Sequence, residues 1–333
     1  MKSIRKIATK IFLLILIVIA VIWSILVGYS VEWTGFGDFT TLSGEFVRGK
    51  TLWDWFELLV IPLSLLVGGY LLNRSERAVE RQIAEDRATL EREIALDHQR
   101  ETALQAYLDH MAELLLKDKL RSTRNKEVRN VARIRTLTVL RGLDSSRKGI
   151  VVKFLHEAGL IEAEKAVVWL EGAYLFGANL MNANLVGVEL SGVNLEDADL
   201  LGVRLVGARL REANLDGAKM TLAHLSGADL RGAIISNATL TSIDLSGADL
   251  MGAELVLATL VGANLAYANL ANAYLTNAEL MSANLQGANL SGVDLVDADL
   301  SDADLRGANV TNQQLAVAHS LKGAIMPDGT IHD

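Results

Sequence analysis

The chain contains no cysteine, which excludes disulfides, thiolate metal sites and cysteine nucleophiles and fits a reducing compartment. Its six histidines, His98, His110, His156, His224, His319 and His332, are scattered. No pair has ligand spacing, so neither a metal nor a cofactor is expected. No nucleophile, base and orienting group stand in a recognisable catalytic arrangement, because the abundant Asp and Asn belong to a repeat described below. An enzyme is therefore not expected.

Half of the 333 residues are hydrophobic, the net charge is -8 and the mean hydropathy is +0.27, values that fit neither a disordered chain nor an ordinary soluble globule. Residues 11–29, IFLLILIVIAVIWSILVGY, run without a charge, long enough for a helix to cross a bilayer core, and Lys2, Arg5, Lys6 and Lys10 precede them. A second apolar stretch, WFELLVIPLSLLVGGYLL at 55–72, precedes Arg74, Arg77 and Arg81. The expectation is a two-helix transmembrane hairpin in contact with lipid. The positive-inside rule puts the basic N-terminus, 1–10, and everything after residue 72 in the cytoplasm, with the loop 30–54 outside.

Within that loop, GEFVRGKT at 44–51 spells a phosphate-binding loop, with Gly44, Gly49, Lys50 and Thr51 at the required positions. Such a loop needs a buried strand before it and a helix in a parallel sheet after it. A short polar loop leading to an apolar helix supplies neither, so the match is read as chance. Thr51 and Asp54 suit a helix start instead.

Residues 73–102 are densely charged, and from Asn73 to Glu101 neither proline nor glycine interrupts them. Val79, Ile83, Leu90 and Ile94 give this helical stalk a thin apolar seam, suited either to a solvated single helix or to a short coiled coil joining copies of the chain. Residues 103–160 read as a small helical module. It has apolar Leu104, Leu108, Met111 and Leu115 on one face, a second helix over 127–143, and a third opened by Asp144 or Ser145 and ended near Gly159. From Lys117 to Lys153 there are twelve bases and three acids, a concentration suited first to anionic headgroups or an acidic protein surface and only distantly to nucleic acid. The region that follows has the opposite sign: 161–310 holds 19 acids against 7 bases.

From 161 to 310 the chain is periodic. Every fifth residue from 170 to 310 is Leu at 26 of 29 positions, Ala stands two places earlier at 23, and Asn or Asp lies between them at 16. On an α-helix, Leu residues five apart advance by about 140°. On a straight strand, five is odd and alternate Leu would face opposite sides. All the Leu can face one interior only if the chain turns a corner in each repeat, with Gly or a small polar residue at the bend. After the repeats, Thr311 and Gln314 form a capping-box pattern that predicts a short helix in a C-terminal cap and tail, 311–333. Trp169, Tyr174 and Phe176 stand outward in the first coil, which predicts that the helical module docks there.

The A-(N/D)-L-x-x pattern resembles the pentapeptide-repeat family. The resemblance implies a right-handed quadrilateral β-helix with four repeats per coil, about seven coils here. The preceding stalk and module look like membrane-attached bacterial members of the family, implying an α+β multidomain protein in the bacterial inner membrane. The leading expectation is a non-enzymatic scaffold presenting the rod to a cytoplasmic protein. Two alternatives stand beside it: an acidic DNA mimic, because acidic family members bind DNA gyrase, and a subunit of an oligomeric membrane assembly or pore. Adding twenty to a position moves one coil along, which lines up Met181, Leu201, Thr221, Thr241, Val261 and Met281 with Leu222 adjacent. That column is a candidate partner surface. Asp294, Asp297, Asp299, Asp302 and Asp304 form a second, acidic candidate near the far end.

Overall fold

The computed structural model describes Trp23, residues 38–49 and residues 52–333. Contacts divide the chain into two units, Met1–Glu93 and Ile94–Asp333.

In the first unit, β1 (Phe39–Thr40) and β2 (Phe46–Val47) form an antiparallel hairpin, followed by the start of α1 (Leu52–Leu116). Among the described residues no helix is long and apolar enough to cross a membrane. This overturns the expected two-helix transmembrane hairpin and the inner-membrane location with cytoplasmic termini, and leaves the lipid partner and the membrane-assembly or pore alternative without support. Residues 55–72 do not form a span of their own but open the 65-residue α1. The other expected span, 11–29, lies outside the described residues apart from Trp23.

The second unit begins with a three-helix module. α1 ends at Leu116, α2 covers Lys126–Gly142 and α3 covers Ser145–Glu157. Asn125 caps α2 by accepting the Glu127 N–H, and Asp144 caps α3 by accepting that of Arg147. Leu104, Tyr107, Met111, Ala132, Leu140 and Val151 are buried between the helices. The Tyr107 hydroxyl meets Thr136 Oγ1 at 2.9 Å, which satisfies both polar groups in the core; burial raises the phenol's pKa. Arg147 joins α3 to α1 by ion pairs to Asp97 and Glu101 while also bonding its own cap, Asp144.

After Ile161 the backbone winds into square coils. Parallel bridges join each mid-strand residue to the one twenty ahead, from Tyr174↔Asn194 to Asn289↔Asn309, so four five-residue sides complete each coil. At one corner, Ala198 N–H donates to Leu195 O at 3.0 Å, closing a four-residue turn, and Asp197 N–H reaches Asp216 O one coil along at 2.9 Å. On the side itself, Leu195 N–H donates to Asn214 O at 2.7 Å and Asn214 N–H to Val193 O at 2.9 Å. The backbone polar groups are thereby met partly by the coil above or below and partly within the same corner. Leu and Ala from all four sides fill the axis and are almost completely buried.

The two signature polar positions have separate reasons. The second residue after each Leu lies in the left-handed region, with φ near +60° along the rod, where glycine is free of strain. The Asn or Asp before each Leu turns its Oδ1 back onto the N–H two residues later, as in Asn194 to Glu196 at 3.0 Å and Asp299 to Ser301 at 2.9 Å. This Asx contact supports the next corner. Two columns also bond along the rod: Asn264, Asn284 and Asp244 form one ladder, and Asp249, Asn269, Asn289 and Asn309 another.

Both ends are covered. At the start, α3 lies against the first coil: Asn179 N–H donates to Ser145 O at 2.9 Å, and buried Lys148 donates to Phe176 O at 2.8 Å with its ammonium 4.7 Å from the Tyr174 ring centre. At the other end, α4 (Asn312–Leu315) carries the complete Thr311–Gln314 capping box. Gln314 Nε2 also bonds Leu290 O and Val293 O. The frame then resumes one residue out of phase, pairing Asp299 with Ser320 and Asp304 with Ile325.

Candidate interaction surface

Met181, Leu201, Thr221, Thr241, Val261 and Met281 stack on one corner of the rod, as their twenty-residue spacing requires. Met181 is exposed, while the other five are half-buried against one another along the column. Leu222, beside them, is 57% exposed and has φ +58°.

The five acids are differently engaged. Asp294 accepts from Val296 N–H and Thr276 Oγ1, and Asp299 from Ser301 N–H and Oγ. Arg306 grips Asp304 through Nε and Nη2 and, with Gln286, pulls its carboxyl down to about 2. Asp297 and Asp302 occupy exposed left-handed corners. The structure thus brings these acids onto adjacent sides, with three of them holding corners of the rod.

In the phosphate-loop match, Gly44 lies in the turn of the β1–β2 hairpin with φ +82°, and Gly49 N–H donates to Asp38 at 2.6 Å. Lys50 and Thr51 lie outside the described residues. Among the described residues no group of His, Asp and Glu is arranged to hold a metal ion.

A surface that the sequence reading passed over lies mid-rod. The column containing Gly187, Gly207, Gly227, Gly247, Gly287 and Gly307 has one interruption, Tyr267, at φ +62° and 74% exposed. Another column, of Gly, Asn and Asp, is interrupted by Leu257, at φ +59° and 57% exposed. A side chain in this region strains against its own backbone by roughly 1–2 kcal/mol, and Asn or Asp eases that strain by local hydrogen bonding where Leu and Tyr cannot. Exposed Met251 shares a coil with both, and exposed Tyr274 and Ile234 flank Glu254 above and below. Among the described residues Glu254 and Glu279, both beside these side chains, make no ion pair. Ile234, Tyr274 and Leu257 thus make one apolar face edged by Glu254 and Glu279, while Tyr267, two repeats beyond Leu257, stands on the opposite corner. Adding twenty to each left-handed position would have found both corners, since Tyr267 breaks an otherwise uniform run of glycine.

The family model for pentapeptide repeats matches in eight copies, over 173–211, 189–227, 208–247, 258–295 and 278–312. Over 47% of this chain and 90% of the other, the sequence is 31% identical to HetL, a pentapeptide repeat protein involved in heterocyst differentiation regulation in the cyanobacterium Nostoc, with a TM-score of 0.24. This chain belongs to the pentapeptide-repeat family. Another similar pentapeptide-repeat protein, from the thylakoid lumen of Arabidopsis thaliana, is 28% identical over 43% of this chain and 83% of its own, with a TM-score of 0.26. QnrB1, a plasmid-mediated fluoroquinolone resistance protein, is 19% identical over 44% and 85%, with a TM-score of 0.31. The comparison with curated proteins found no match. The family-model matches fall on the coils, and α1 to α3 lie outside the matched residues.

Proposed function

We propose that this pentapeptide-repeat protein is a non-enzymatic scaffold whose rod engages another protein through the apolar face around Leu257, Ile234 and Tyr274. The observation that carries the reading is the occupation of a left-handed corner by Leu257, beside exposed Ile234 and Tyr274. It costs the rod stability, and at 57% exposure little is recovered within the chain, whereas burial against a partner's surface offsets it on binding. Glu254 and Glu279 on the edge favour a partner whose contact surface is basic around an apolar centre. The column of Met181, Leu201, Val261 and Met281 with Leu222 is the second candidate surface on the rod.

A photoreactive amino acid at 257 or 234, compared with one at 309 on the ladder side, tests this. One discrete cross-linked protein obtained from both face positions and not from 309 is expected; equal labelling from all three rejects the face.

A second reading, in which the rod stands in for a nucleic acid backbone, draws support from one side of the coils. Glu196, Asp197, Asp199, Asp216, Glu279, Asp297 and Asp299 share that side with a single base, Lys219. Inhibition of DNA supercoiling by the full chain, reversed on neutralising Asp199 and Glu279, would favour this reading over the first.

A further inference from the structure

Away from the rod, α1 and α2 leave a groove of about 430 Å³. Its walls are Leu96, Ala103, Ala106, Tyr107, Ile134 and Val139, and two guanidinium groups, Arg100 from α1 and Arg135 from α2, line it as well. Arg100 Nε is buried with no hydrogen-bond partner. Among the described residues neither arginine has an ion pair. A buried N–H on a charged group is costly when unmet, and a planar guanidinium is best satisfied by two oxygens of one anion. Yet the acids nearest in sequence are committed elsewhere: Asp97 and Glu101 both bind Arg147.

We propose that this groove binds a small anionic amphiphile, a carboxylate on an aliphatic tail, with Arg100 and Arg135 taking the carboxylate and the aliphatic walls taking the tail. The volume lies within the range of small-molecule sites. The α1 edge from Leu96 to Tyr107 extends about 17 Å, the reach of a medium-length alkyl chain. The surrounding segment, with twelve bases and three acids between Lys117 and Lys153, draws anions toward the opening. Binding turns the Arg100 Nε–H from an unmet donor into half of a bidentate contact.

Calorimetric titration of the full chain with sodium dodecanoate, dodecanol and acetate, kept below micellar concentrations, tests the proposal. Saturable binding of dodecanoate is expected, with dodecanol and acetate each at least tenfold weaker. Arg100→Met and Arg135→Met should each weaken dodecanoate about tenfold or more, Ala106→Trp should abolish its binding by filling the groove, and Arg124→Met, away from the lining, should leave it unchanged. Arg135 is exposed, so its variant reports on binding even if Arg100→Met disturbs folding. Equal affinity for dodecanol, an unchanged affinity in both arginine variants, or a chain dimer that Ala106→Trp dissociates in place of dodecanoate binding would overturn it.

Discussion

Gly149 offers the sharpest test of how the helical module joins the rod. In the middle of α3, glycine costs about 1 kcal/mol relative to alanine, so on helix grounds alone Gly149→Ala should stabilise the protein. The packing says otherwise: an added Cβ would stand 2.0 Å from Asn179 O and 3.1 Å from its carbonyl carbon, both first-coil backbone atoms. Reaching ordinary contact at 3.4 Å moves the helix outward by the difference, about 1.4 Å. That displacement breaks the Asn179-to-Ser145 bond and the Lys148-to-Phe176 bond, now 2.9 and 2.8 Å. Their combined loss is about 3 kcal/mol, counting the ammonium bond as the stronger. Set against the helix gain, the net is about 2 kcal/mol of destabilisation, the size of many overpacking substitutions. Amide hydrogen exchange on the full chain should then show α3 and Asn179 exchanging roughly thirtyfold faster, with mid-rod amides unchanged. Gly142→Ala is the control, because a Cβ there meets nothing within 4 Å; it should be neutral or slightly stabilising. If Gly149→Ala behaves like Gly142→Ala, α3 does not rest on the first coil.

The left-handed corners give a prediction of opposite sign. Leu257→Asn, which installs the residue found at 237 and 277 in the same column, should raise the urea midpoint by an amount equivalent to about 1 kcal/mol, and a fall would show that Leu257 is held by the rod itself. Tyr267→Gly should cost little, because the ring's contact with Gly287 is offset by relief at its own backbone. A loss above about 2 kcal/mol in chemical melts would contradict that balance. Asn284→Ala removes both the bond from Gln286 N–H and the ladder bond to Asn264, each 3.1 Å, and should destabilise by about 1–2 kcal/mol in the same assay; a neutral result would leave the ladder without energetic weight. Asp229 is held at about 2, first by its bond from Arg231 and further by Arg211. Its folded pKa lies below the unfolded value, so its contribution is present above about pH 4 and disappears as pH falls toward 2. The pair is partly exposed and screened, so Asp229→Asn should flatten that acid loss by less than about 1 kcal/mol, and less still in high salt.

The solenoid was legible because a five-residue period admits one backbone solution, and the positions of Leu, Ala and the corner residue follow from it. Thr311 and Gln314 were legible for a similar reason, since a capping box is a local contact between neighbours in sequence. Gly149 was not: the atom that requires it, Asn179 O, is thirty residues away. Nor was the frame slip after α4, because Leu321 and Met326 look unremarkable unless the pairing of Ser320 with Asp299 is known. Composition misleads over residues 55–72, an apolar run that reads as a membrane span: among the described residues no helix is long and apolar enough to be one, and the run opens α1 instead. Met181 and Val261 hold the first position after a Leu, where the twenty-residue register alone lines them up. The second position, where backbone geometry penalises such residues, is the more telling one, and Leu257 and Tyr267 occupy it.

Because each repeat bonds to the one twenty residues away, chain length and compass direction are coupled in this molecule. Removing a whole coil would shorten the rod by one storey, about 4.8 Å, and leave every downstream side chain aimed as before. Removing a single repeat would swing everything beyond it by a quarter turn, carrying Tyr267 to a different side while leaving the interior intact. Relatives of this chain should therefore differ in length by multiples of twenty wherever a feature beyond the change must keep its bearing.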